Sequence, residues 1–182
     1  MSTIKLHDLH FKPFISENEL SKIVSSLVKE VRVDLTTNEV PLFIGILNGS
    51  FLFAADFIRK YPNNCEVSFV KLSSYQGTES SEIVNELIGI NEDLTGRTVI
   101  ILEDIIDTGA TLHKIYDTFK NKNVKQLKIA TLFFKPDVYR KELPIHYIGK
   151  SIEDKFIVGY GLDYNGLGRN LPAVYQLTKE PK

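Results

Sequence analysis

The sequence predicts an α/β protein with a central, mostly parallel sheet flanked by helices. Three observations lead there. Short, continuous apolar runs of the kind buried on both faces of a parallel sheet recur through the chain. They alternate with amphipathic helical patterns, the signature of strand–helix–strand units. The chain has 182 residues, 43% hydrophobic and 25% charged, enough for one domain with a substantial core and unlike a disordered segment.

In order, Ser16 with Glu19 makes a capping box and Ile15 with Leu20 a hydrophobic staple, predicting a helix over 17–33. Leu20, Ile23, Val24, Leu27, Val28 and Val31 form its apolar face. After Pro41, the run 42–47 reads as a strand, Asn48-Gly49-Ser50 as a turn and 51–60 as a helix. A strand over 67–72 follows. The polar stretch 73–81 is too hydrophilic for core and is expected to be a mobile loop. Strands are predicted over 83–90, 98–102 and 126–134, with a short helix through Leu112, Ile115, Tyr116 and Phe119. Further strands are expected at 145–149, 156–160 and 174–177. His7 and His10 fall near an end with no predicted anchor, while His113 and His146 stand alone. Lys120, Lys122, Lys125 and Lys128 read as a solvated face.

A formal net charge of −1 supplies no global basic field for nucleic acid. The single cysteine, Cys65, excludes an internal disulfide and a thiolate zinc cage, and it reads as a small buried residue. Residues 1–8 lack a secretory apolar stretch and no window approaches a membrane span, so a cytoplasmic protein without a membrane partner is expected.

The chemistry concentrates in 103–111. Ligands of open α/β sheets bind beyond the carboxyl ends of the strands, where this segment lies. Glu103-Asp104 offers acceptors for sugar hydroxyls or for the water shell of Mg²⁺. Thr108-Gly109-Ala110-Thr111 offers amides, two hydroxyls and a helix start, suited to a phosphate. A ribose phosphate satisfies both halves; on spacing alone, an acidic turn with a helix cap explains the residues equally well. A Walker P-loop is excluded, because no Gly-Lys-Ser/Thr follows a glycine-rich turn.

The string 99–112, Val-Ile-Ile-Leu-Glu-Asp-Ile-Ile-Asp-Thr-Gly-Ala-Thr-Leu, resembles the signature with which type I phosphoribosyltransferases bind PRPP (5-phosphoribosyl pyrophosphate). The Asp before Thr-Gly makes it most similar to the hypoxanthine-guanine branch, and the resemblance runs from Leu42 to Arg169. It implies the type I fold in a single domain over 1–182, with a small hood drawn from the N-terminal segment and about 145–182.

The same resemblance assigns the residues. Glu103, Asp104, Asp107, Thr108, Gly109, Ala110 and Thr111 would hold the ribose and 5′-phosphate, with Asp107 taking the N7 proton as the catalytic group. Leu47, Asn48, Gly49 and Arg169 would receive pyrophosphate, the loop commonly through a non-proline cis peptide. Ser74 and Tyr75 match the Ser-Tyr pair of a closing loop that keeps water from the reacting centre. Lys135 would donate to the purine O6, Phe156 stack on the base, and the Ile157 backbone read its edge. Asp163 stands in the purine-binding segment and would also hold metal on the pyrophosphate side. With Glu103 and Asp104 it completes the expected metal ligands, for Mg²⁺, two ions in the closed complex. Two departures are visible: Asn48 stands where many relatives carry a basic residue, and Ala110 where many carry a larger or charged one.

The implied activity is purine salvage: PRPP with hypoxanthine or guanine gives IMP or GMP and pyrophosphate. The small-molecule partners would be PRPP and a 6-oxopurine, in a homodimer or homotetramer without nucleic acid. Two rivals are a regulator that keeps this fold and binds nucleic acid, and a transferase for another base such as xanthine. A basic face would favour the first; the near-neutral charge, Asp107 and Lys135 speak against it.

Overall fold

The computed structural model describes residues 2–36, 39–74, 84–90 and 92–178. Its larger sheet has six strands in the order β5-β4-β3-β6-β7-β8: β3 (Leu42–Leu47), β4 (Glu66–Ser74), β5 (Val84–Ile88), β6 (Thr98–Ile106), β7 (Gln126–Phe134) and β8 (Tyr147–Ser151). Strands β4, β3, β6, β7 and β8 run parallel, and β5 closes one edge antiparallel to β4.

Strand alternation divides the core. Phe43, Ile100 and Leu102 pack with the buried faces of α1 (Glu17–Asp34) and α2 (Phe51–Lys60). Ile44, Val99 and Ile101 pack with Leu112, Ile115 and Phe119 of α3 (Ala110–Lys120). Each such aliphatic or aromatic side chain contributes about 1.5–3 kcal/mol when fully buried. At the start of α1 the Ser16 hydroxyl accepts from Glu19 N at 3.2 Å, as the capping box predicts.

A second sheet of four antiparallel strands, β1-β2-β10-β9, joins β1 (Ile4–Leu6) and β2 (Leu9–Ile15) to β9 (Ile157–Val158) and β10 (Val174–Leu177). Its first two strands are absent from the sequence prediction. His7 and His10 therefore belong to an anchored hairpin: His10 pairs with Lys5 across the strands, and the turn residue His7 has φ 50°. Strand β8 lies in the larger sheet, so the small sheet takes its C-terminal strands from Ile157 onward.

Two further differences concern β6 and the lysines near β7. Strand β6 runs on to Ile106 instead of ending at Leu102, because Glu103, Ile105 and Ile106 keep pairing with β7. Glu103 and Asp104 are thus strand residues, and the loop is confined to 107–109. The lysines around the helix-to-strand connection are only partly a solvated face: Lys125 pairs with Glu39 at 2.9 Å, and Lys128 pairs with Asp34. No described helix is long and apolar enough to cross a membrane.

Candidate active site

The carboxyl ends of β3, β6 and β7 meet the small sheet around a cleft of about 290 Å³, lined in part by Gly49, Asp104, Asp107, Lys135, Phe156 and Arg169. A neighbouring hollow of about 110 Å³ is lined by Glu103 and residues 105–112. Strand alternation separates the two acids: Glu103 lines the hollow beside α3, and Asp104 lines the larger cleft.

Both acids are buried, at 8% exposure for Glu103 and 7% for Asp104. Burial, reinforced by the Asp104 charge, pushes Glu103 well above the ordinary carboxylate range. Burial pushes Asp104 up to about 6, against backbone amides and the Arg169 charge that favour its ionised form. Among the described residues, Glu103 Oε2 has no hydrogen-bond partner. An orphaned buried acceptor costs free energy until a donor or cation reaches it.

The loop after β6 turns through Gly109, φ 80°, where a Cβ would stand 2.5 Å from the Tyr139 ring. Gly109 precedes α3 without a side-chain cap, so the first amides of the helix face the hollow alongside Thr108, Ala110 and Thr111. Arg140 N donates to Thr108 O at 3.4 Å and holds the turn from outside.

Lys135 follows β7 and is 6% exposed. Its Nζ donates to Asp107 Oδ2 and to Asp154 Oδ1, each at 3.0 Å. The structure thereby joins two residues the sequence assigned separately and adds a third, Asp154, that it did not flag. The acidic pair Glu153-Asp154 just before Phe156 was the available signal, since a buried cation requires a counter-charge.

Phe156 leaves 43% of its surface open although it is apolar. Its ring is braced by Phe11 of β2 at 6.2 Å and edge-on by Tyr164 at 5.9 Å. Phe11 too went unrecognised, because its strand was. The adjacent Ile157 is buried in β9.

Asp163, a carboxylate in an apolar run that required a partner, accepts from Arg169 Nη2 at 2.7 Å and from Gly166 N at 2.7 Å. Leu47 ends β3, and the Leu47–Asn48 peptide is cis. A Cβ on Gly49 would fall 1.8 Å from Asp104 Oδ2, so this loop lies directly against the acid. Ser74 ends β4. Tyr75 and most of the expected loop lie outside the described residues. Among the described residues, no three His, Cys, Asp or Glu side chains converge on one point.

Comparison with known proteins agrees with this geometry. The phosphoribosyl transferase domain family matches residues 16–165. A hypoxanthine-guanine phosphoribosyltransferase of Streptococcus pneumoniae is 37% identical over 170 residues, covering 93% of this chain and 94% of that one. One from Aquifex aeolicus is 34% identical over 167 residues, covering 91% and 94%. The crystal structure of a hypoxanthine-guanine phosphoribosyltransferase from Bacillus anthracis superposes with a TM-score of 0.85 at 40% identity, covering 92% of this chain and 98% of that one. With its parallel sheet, its small antiparallel sheet and its acidic strand end all accounted for, the chain belongs to the phosphoribosyl transferase family.

Proposed function

We propose that this protein is a purine-salvage enzyme that transfers the 5-phosphoribosyl group of PRPP to hypoxanthine or guanine, giving IMP or GMP and pyrophosphate. One observation carries the choice of base: a buried ammonium, Lys135, stands in the cleft with the open face of Phe156. A donor at that depth suits the O6 of an oxopurine, whereas the 6-amino group of adenine cannot accept from it. A base without an acceptor at that position forfeits a hydrogen bond at a buried site, which favours oxopurines over adenine.

The other roles are those that the family resemblance implies. The ribose hydroxyls lie on Glu103 and Asp104, and the 5′-phosphate on Asp107 to Thr111, where helix amides and threonine hydroxyls compensate for the absence of a larger or charged side chain at Ala110. Leu47, Asn48, Gly49 and Arg169 receive pyrophosphate. Asn48 carries no charge, so attraction there comes from backbone amides and Arg169. Ser74 and Tyr75 serve the loop that closes over the centre. Phe156 stacks on the base and the Ile157 backbone meets its edge. As N9 attacks C1 of the ribose and the C1–O bond to pyrophosphate breaks, Asp107 takes the N7 proton. Asp154 stays on Lys135 as counter-charge while Asp107 is engaged with the base.

The donor set fits Mg²⁺. Two buried carboxylates held above their usual pKa and one orphaned oxygen favour a cation. Mg²⁺ commonly keeps waters and substrate oxygens around one or two carboxylates and does not need a closed protein cage. Glu103, Asp104 and Asp163 would hold it, in two ions, and bound there it would offset charge on the leaving pyrophosphate.

The reading takes residues 1–182 as a single domain whose hood comes from the N-terminal segment and the C-terminal part. It also takes the protein as a cytoplasmic homodimer or homotetramer. The decisive assay supplies PRPP and Mg²⁺ with hypoxanthine, guanine, xanthine or adenine in turn. Nucleotide is expected from the first two, and none from any base would refute the proposal.

A further inference from the structure

We infer that Asp56 and Tyr160, outside the reacting centre, are positioning residues that set the pyrophosphate half of the site by locking Gly161 against Gly49. This rests on the assignment of 47–49, Asp163 and Arg169 to pyrophosphate made above.

Tyr160 is 7% exposed and has φ 52°, a left-handed conformation that a bulky aromatic residue rarely adopts. Such a conformation persists only where the surroundings over-determine it. Two contacts do so. Tyr160 N donates to Leu171 O at 2.9 Å, and its hydroxyl donates to Asp56 Oδ2 at 2.6 Å. Burial and the Asp56 charge both push the phenol upward in pKa, so it remains a donor at any working pH. Asp56 sits on α2, the helix that begins immediately after the 48–50 turn. One hydrogen bond therefore ties the arm carrying Asp163 and Arg169 to the element that follows the pyrophosphate loop.

The next residue transmits the constraint. Gly161 N donates to Arg169 O at 3.0 Å, and Gly161 O accepts from Arg169 Nη1 at 2.6 Å. A Cβ on Gly161 would stand 2.1 Å from Gly49 O, and a Cβ on Gly49 would stand 1.8 Å from Asp104 Oδ2. Asp104, Gly49 and Gly161 are thus stacked with no spare layer between them. Any shift of Gly161 must move Arg169, open a gap above Gly49, or both. A phenylalanine would fill the Tyr160 space equally well; what the hydroxyl adds is a fixed height for Gly161.

The test uses the full chain with Tyr160→Phe, Asp56→Ala, Asp56→Asn and the double variant Tyr160→Phe/Asp56→Ala. Tyr160→Phe and Asp56→Ala are expected to raise KM for PRPP, and for pyrophosphate in the reverse direction, by about 5–50-fold, with the KM for base and kcat changed by less than about threefold. Asp56→Asn keeps an oxygen acceptor and should stay near wild type, and the double variant should be no worse than either single one. Equal increases for PRPP and base would overturn the inference. So would unchanged kinetics with only a lower Tm, or identical values for Asp56→Ala and Asp56→Asn. Should Tyr160→Phe fail to fold, the two Asp56 variants decide. A wild-type protein that makes no nucleotide refutes the transferase reading alone. Calorimetric titration with pyrophosphate then decides the lock: weaker binding by Asp56→Ala than by Asp56→Asn supports it, and equal binding overturns it.

Discussion

A lysine ammonium shielded from water needs compensating charge, and Lys135 has two carboxylates on it. In the proposed mechanism Asp107 turns to the substrate while Asp154 stays on the lysine. The assignment predicts that Asp107→Asn, which keeps shape but loses the proton acceptor, lowers kcat by about 10²–10⁴ with little change in PRPP binding. Pre-steady-state turnover with a PRPP titration checks it, and near wild-type turnover removes Asp107 from the role. Lys135→Ala should raise KM for hypoxanthine far more than for PRPP, and comparable increases would mean that the lysine does not read the base. At this scale the sequence was informative where residue type and neighbours coincide, as in 103–111. It was silent where a partner arrives from a distant element. Asp154 reaches Lys135, and Phe11 reaches Phe156, only once two sheets have packed.

Among the elements, α1 and α2 could be read almost to the residue, since helix caps and apolar periodicity are local properties of a chain. The cap is open to a direct test. Ser16→Ala should cost about 1 kcal/mol of stability in chemical denaturation and leave catalysis unchanged, because the Ser16 hydroxyl caps the helix by accepting from the amide of Glu19. Unaltered stability would mean that water replaces the cap. Strand β2 was illegible for a definite reason. Pro13 argues against an interior strand, yet here it sits in one, at the point where the pairing with β10 slips between Val174 and Tyr175. The irregularity absorbs the missing amide, and no sequence pattern announces it. The extension of β6 through two acids was hidden similarly, because buried carboxylates look like loop residues until their pairing with β7 is known.

For the whole molecule, titration acts in two opposing directions. The Asp34 carboxyl lies below its ordinary range because of hydrogen bonds from Lys128 and Tyr147, and Glu39 because of those from Thr98 and Lys125. A depressed folded-state pKa stabilises fully above the unfolded value and ceases to do so as pH falls through the folded one. Asp34→Asn and Glu39→Gln should therefore be less stable than wild type at pH 7, and the difference should begin to shrink near about pH 4 and go on shrinking as pH falls through the depressed folded-state values. Urea midpoints across that range measure it; a difference independent of pH would locate the effect in packing. Glu103 and Asp104 act oppositely, since raised values favour the folded state more as pH falls, so each variant must be compared with wild type at the same pH. The small sheet carries a last consequence, in the timing of synthesis. Strand β2 has β1 as a partner early, but its other neighbour is β10, with Ile15 facing Val174. At about 5–20 residues per second, the two are made roughly 10–30 s apart on a ribosome. The larger sheet can be complete through β8 while Phe11 still waits for the segment it braces, so the proposed shelf for the base is among the last parts to form. A chain interrupted before Val174 would carry the hollow beside α3 and Lys135 with no closed sheet beneath Phe156.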